Sequence, residues 1–188
     1  MNQVEVCNLA LVWLGAKSIT SIDDASTEAE LCKANWVPAR DVCLESREWS
    51  FAIQRLGPLA AAVAAPVYDF TKKYVIPSTV LRVLNVQGQY GDEVDNWQRE
   101  GQYIVCYDDA IYMRALVRVE DTSAFPASFC HALAARIAAD IAIAVNNSTT
   151  QQETLWKLWV MKMKEATVLD SMQGRTLRIK SPALMRYR

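Results

Sequence analysis

The chain has 188 residues, of which 52% are hydrophobic and 22% charged, with a formal net charge of -1. This composition excludes a disordered or low-complexity chain, and the near-neutral charge argues against a generic nucleic-acid binder. Folding at this length buries roughly 70% of the unfolded surface, enough for one core with an elaborated insertion and no covalent staples.

Asn2, with Glu5 as its reciprocal partner, predicts a capped helix over residues 3–14 that stops at Gly15. Val4, Cys7, Leu11 and Leu14 form one apolar stripe, and Val6, Leu9, Ala10 and Trp13 a second, so burial on most sides is expected. After a loop holding Asp23 and Asp24, Thr27-Glu28-Ala29-Glu30 reads as a capping box for a helix reaching Ser46. Cys32, Trp36, Ala39 and Cys43 make its seam, and Pro38 predicts a kink.

The period then falls from 3.6 to 2. Trp49, Phe51 and Ile53 alternate with Ser50, Ala52 and Gln54, which predicts a strand. Residues 59–65 form an Ala-rich connector closed by Pro66, and strand-like alternation returns over 68–76 and 80–86. Residues 97–107 and 110–119 read as one hairpin turned at Asp108-Asp109, with Ile111, Met113, Ala115, Val117 and Val119 on a shared face.

Helix resumes near Pro126, with Ser123 near its cap. Phe129, Leu133, Ile137 and Ile141 mark the buried side, and many alanines permit close helix approach. Asn146-Asn147 ends it. Thr150 with Glu153 then predicts the start of a last helix reaching Gln173, stopped by Gly174. The longest apolar run, residues 133–145, is interrupted by Arg136 and Asp140, so no membrane span is expected. The opening Met1-Asn2-Gln3 lacks the basic stretch of a secretion signal, and none is expected.

Helices, then strands, then helices indicate an α+β fold. The expected domain covers residues 1–173: an up-down helical bundle from 1–47 and 124–173, with a small antiparallel sheet inserted over 48–120. Residues 174–188 form a basic C-terminal arm carrying Arg175, Arg178, Lys180, Arg186 and Arg188 and no acid. The arm is therefore +5, against 15 bases and 21 acids, or -6, in the body. Such an arm is suited to docking on an acidic surface.

Catalytic and metal readings are weak. Cys7, Cys32, Cys43, Cys106 and Cys130 are odd in number and lack a CxxC pair, which suits buried reduced thiols made in a cytoplasm. With His131 the only histidine, no zinc site is expected. Cys130 and His131 are sequence neighbours and would point about 100° apart on a helix, so a nucleophile–base pair is disfavoured. Asp108 and Asp109 are better explained by a turn than by a carboxylate dyad, and Asp23 and Asp24 by a loop. No phosphate-binding glycine motif occurs. Trp49, Trp97, Tyr103, Tyr107 and Tyr112, with Arg99, Arg114 and Arg118, offer a weaker nucleic-acid-stacking alternative, and a virion-borne hydrolase is the other competing reading. No enzyme activity, cofactor or metal is expected.

The last helix stands out. Leu155, Trp156, Leu158, Trp159, Val160 and Met161 cover most directions around it, more than one bundle face hides, so Trp156 and Trp159 are candidate oligomer-interface residues.

Four stretches together resemble a known family. They are Ala10-Leu11-Val12-Trp13-Leu14-Gly15 with Ile19-Thr20-Ser21-Ile22-Asp23-Asp24; Arg47-Glu48-Trp49-Ser50-Phe51-Ala52; Tyr74-Val75-Ile76-Pro77 with Leu81-Arg82-Val83-Leu84-Asn85-Val86; and Phe125-Pro126-Ala127-Ser128-Phe129, leading into Ala134-Ala135-Arg136-Ile137-Ala138-Ala139-Asp140-Ile141-Ala142. Their order and spacing over residues 1–173 resemble the tail tubular protein A family of short-tailed bacteriophages, and more broadly the head-to-tail adaptor or connector proteins. The resemblance implies a structural virion protein, made in the bacterial cytoplasm. It implies a homo-oligomeric ring, commonly of twelve copies, at the head–tail junction under the portal. A tail nozzle protein (tail tubular B-like) would lie on the far side, and DNA would cross the central channel during genome ejection without sequence-specific binding. It brings no catalytic residues; in related adaptors a C-terminal arm reaches the portal.

Overall fold

A computed structural model describes residues 1–173; the expected basic arm, with Arg175, Arg178, Lys180, Arg186 and Arg188, lies outside the described residues. The first helix, α1 (Gln3–Leu14), is held by a reciprocal cap. Glu5 N–H donates to Asn2 Oδ1 at 2.8 Å, and Asn2 N–H donates to Glu5 Oε2 at 2.9 Å. Gly15, at φ 69°, turns its N–H back onto the carbonyls of Leu11 and Val12. Asn8 then clamps the following loop, bonding both Ile19 N–H (2.8 Å) and Ile19 C=O (2.9 Å).

The second helix, α2 (Thr27–Glu45), is capped by Ser26, whose hydroxyl accepts from Ala29 N–H; the capping box expected at Thr27 lies one residue too late. The helix runs through Pro38 without interruption. The strand expected from Trp49 is also corrected. Trp49 is buried, its Nε1–H donating to Cys43 C=O at 2.8 Å and its ring edge-on to Phe129 at 5.1 Å. Residues Ser50–Ala52 form a 3-10 turn, and the strand β1 begins at Ile53 (Ile53–Leu56). Fixing Trp49 and Phe51 together against Phe129 bends the chain, and tertiary packing overrides the local alternation.

The remaining strands are β2 (Lys72–Val75), β3 (Val80–Gly88), β4 (Gln98–Glu100), β5 (Tyr103–Cys106) and β6 (Ile111–Val117). They make two three-stranded antiparallel sheets, β1-β6-β3 and β2-β5-β4, where a single sheet was expected. The expected hairpin at Asp108-Asp109 does not exist. β5 pairs with β4 through a two-residue turn at Gly101, φ 59°, so residues 97–107 fold on themselves. Asp108-Asp109 is instead the crossover between sheets. Tyr74 Oη donates to Asp108 C=O at 2.7 Å, and Lys72 Nζ meets Asp109 Oδ1 at 2.6 Å. The alternation over 68–76 yields strand only at its end, because Tyr68 has no partner strand and stands exposed.

A second 3-10 turn, Thr122–Ala124, is capped by Asp121, and Ser123 sits inside it rather than capping the next helix. That helix, α3 (Ala127–Asn146), is long and apolar enough by composition to cross a membrane. Here eleven of its residues are buried, with α1, α2 and the last helix, α4 (Thr149–Ser171), against it. Arg136 and Asp140, the two charges in its apolar run, pair with each other at 2.8 Å. Asn147, at φ 49°, ends α3, and Ser148 caps α4 by accepting from Gln151 N–H; Thr150 lies inside the first turn and Glu153 just beyond it, so neither is the cap. The two-residue connection returns α4 along α3, where Gln152 Nε2–H reaches Ala139 C=O.

Two apolar clusters result. One is helical, built on α1, α2 and α3; the other lies between the sheets, around Val86, Ile104, Ile111 and Met113. They meet along β6, where Leu116 joins the helical cluster while Ala115 and Val117 join the sheet cluster.

Candidate assembly surface

Only Leu155, Ala166 and Asp170 of α4 are buried. The helix leans on α3 through a stack. The Arg136 guanidinium lies 4.5 Å from the centre of the Trp156 ring and 5.0 Å from that of Trp159, and the two indoles meet edge-on at 5.2 Å. Asp140 Oδ2 accepts from the guanidinium Nε–H at 2.8 Å. Trp159 Nε1–H is sealed from solvent with no nitrogen or oxygen partner. Burial pushes the nearby Cys43 thiol up to about 12; the Trp159 indole and Arg136 oppose that rise.

Beyond the stack the helix faces solvent. Val160 is 43% exposed and Met161 63%, and Val168, Leu169 and Met172 are exposed as well. A hollow of about 540 Å³ is lined by Glu153, Trp156, Lys157, Val160 and Met161. A second, of about 360 Å³, lies between α4 and the end of α2, reaching Ser46, Arg47, Trp159, Met163 and Lys164. Val160 lines both, so they form one apolar groove with a basic rim. Trp156 and Trp159, singled out by sequence as candidate interface residues, thus stand side by side at its floor.

The other candidates are apart. His131 sits half-buried beside Trp13, 6.4 Å between rings, at the contact of α1 and α3. Its neighbour Cys130 is buried, and desolvation raises its thiol above the ordinary range. Asp109 serves Lys72, which holds its carboxyl below the usual range. Asp23 pairs with Lys33 at 2.6 Å. Asp24 accepts from Thr20 and Ser21 N–H groups, which lower its carboxyl likewise. Among the described residues, no three His, Cys, Asp or Glu side chains gather in a metal-binding arrangement. All five cysteines are free and buried.

The aromatic and basic residues weighed as a nucleic-acid platform are dispersed. Trp49 is in the helical core, Tyr103 lies under Lys73 at 4.3 Å, and Tyr107 packs on Phe70 at 5.2 Å. Arg114 approaches Glu48 at 3.6 Å, and Arg99 bonds the carbonyls of Gly101 and Leu81. Arg118 is committed to Asp41 at 2.9 Å, which also holds the buried Arg40, tying α2 to the end of β6.

No family model and no curated protein matches the chain.

Sequence reading missed two features. The first is the buried Asp170 carboxylate, which accepts Ser50 N–H at 3.1 Å and Ser50 Oγ–H at 2.6 Å; an acid at the end of an amphipathic helix carries no local mark of burial. The second is the exposure of Val63, Val67 and Tyr68 beyond the short pairing of residues 60–62 with β2. An alanine-rich run without a period assigns no face, so the local sequence carried no mark of that exposure.

Proposed function

We propose that this chain is a structural virion subunit: a ring-forming adaptor between the portal and the tail nozzle of a short-tailed bacteriophage, with DNA crossing its central channel. The observation that carries the reading is the state of α4. A helix with two tryptophans, two leucines, valine and methionine in seven consecutive positions, 155–161, leaves an apolar groove open to solvent. A lone subunit gains nothing from that exposure, whereas a ring covers it in every copy. The resemblance to tail tubular protein A supplies the identity of the ring and its partners. In this reading the helices form the up-down bundle of the ring wall, the two sheets project from it, and the basic residues of 174–188 dock on the portal.

Negative-stain imaging of the purified protein, alone and mixed with portal from the same phage, tests the proposal. Rings with a central hole, seated coaxially on the portal, are expected. Particles of single subunits that never bind portal would refute it.

A further inference from the structure

A closed ring of identical copies needs two different, mutually fitting surfaces on each chain. The α4 groove is one. The described residues contain a second apolar surface with nothing on it: the loop of residues 59–70, linking β1 to β2. Its only charged residue is Asp69. Val63 is 111% exposed, Val67 97% and Tyr68 78%, values that mean these side chains touch almost nothing.

The two ends of this loop are nevertheless fixed. Leu59 N–H donates to Ile111 C=O at 3.0 Å. Ala62 N–H donates to Lys73 C=O and Val75 N–H to Ala60 C=O, each at 2.8 Å. At the far end Phe70 stacks on Tyr107. The anchored ends limit how far the segment between them can spread, and Val63, Val67 and Tyr68 recover no burial within one subunit. A preformed apolar knob of this kind suits insertion into a preformed apolar groove, with little further ordering on contact.

Charge favours the same match. The groove is rimmed by Arg47, Lys157 and Lys164 against the single acid Glu153, and those three bases form no ion pair among the described residues. The knob carries Asp69, with exposed Glu100 beside it, both without an ion pair among the described residues; the one base in the same hollow, Lys73, lies over the Tyr103 ring, which leaves a net negative border. Two copies of the α4 groove placed face to face would instead oppose like charges.

We infer that the 59–70 loop of one subunit inserts Val63, Val67 and Tyr68 into the α4 groove of the next, forming the head-to-tail contact of the ring. This rests on the adaptor reading. Two variants separate them: a loop variant (Val63→Ser, Val67→Ser, Tyr68→Ser) and a groove variant (Val160→Asp, Met161→Asp). All five positions are exposed, so each variant keeps the wild-type circular dichroism and the melting temperature of the dilute, unassociated wild type. Masses are measured by light scattering, with portal added if the wild type assembles only on it.

Each variant alone is expected to lose every species above one chain. Their equimolar mixture is expected to form a 1:1 heterodimer and nothing larger, because one functional knob then meets one functional groove and the series stops. A loop variant that still forms rings overturns the inference while leaving the adaptor reading intact. A loop variant that forms dimers alone shows a groove-to-groove contact and overturns it equally. A wild type that remains single with portal present overturns both.

Discussion

Asp170 lies one residue before the end of α4, and its carboxylate is buried against the N–H and hydroxyl of Ser50 at the start of the 3-10 turn. A charged acceptor bonded by two donors is costly to remove, because hydrogen bonds to an ionised group are stronger than neutral ones. Asp170→Ala should lower the unfolding free energy by about 1–3 kcal/mol, read as a fall in the denaturation midpoint at unchanged slope. Ser50→Ala removes only the hydroxyl donor and should cost less. Gly57 is a second single-residue constraint. At φ 143°, an added Cβ would lie 2.6 Å from Tyr112 Cδ1, so Gly57→Ala should destabilise through both strain and contact. The thiols make a chemical prediction. Burial raises Cys43, Cys106 and Cys130 above their ordinary range; a hydrogen bond from Cys7 lowers Cys32, but its sulfur, like the other four, is shut away from solvent. A thiol reagent at pH 8 should therefore label no cysteine in the folded protein and five after unfolding, since the thiolate is the reacting species. Fast labelling of any one in the native state would contradict this.

Among elements, those legible in the sequence were those determined locally. Asn2 with Glu5 and Gly15 frame α1 because capping bonds and a left-handed stop need only near neighbours. Asn147 ends α3 for the same reason. Trp49-Ser50-Phe51 alternates like a strand, but its conformation is set by Phe129 and Asp170, about eighty and one hundred and twenty positions away. The hairpin at Asp108-Asp109 failed because two aspartates mark a turn without saying which strands it joins; Gly101 held the true hairpin. In the candidate site, the breadth of the α4 stripe was readable from residue order. The exposure of residues 59–70 was not, since a run of alanines has no period to assign a face. The seam between the two cores gives this scale its test. Leu116 is fully buried on the helical side of β6, while Ala115 and Val117 face the sheet cluster. Leu116→Ala should cost about 2–5 kcal/mol. The loss should fall on both clusters together, with amide exchange accelerating in α3 and β5 alike. Exchange that accelerates only in the helices would show that the sheets stand independently.

For the molecule as a whole, the question is whether the groove on α4 is a stability liability that association removes. Mass action gives a test that needs no partner from elsewhere. A protein whose folded form associates is stabilised by the ratio of free concentration to the dissociation constant. Above that constant, each tenfold rise in concentration adds about 1.4 kcal/mol per contact. The wild-type melting temperature should therefore climb with protein concentration. At the same time, acrylamide quenching of Trp156 and Trp159 should fall as the neighbouring chain covers them. The Val160→Asp, Met161→Asp variant should melt at the temperature of the most dilute wild type at every concentration, because those side chains make few contacts within one subunit. If the variant instead melts lower than dilute wild type, α4's outer face contributes to the subunit's own fold. If the wild-type temperature is flat from nanomolar to high micromolar protein, the isolated chain does not close the groove with another copy of itself.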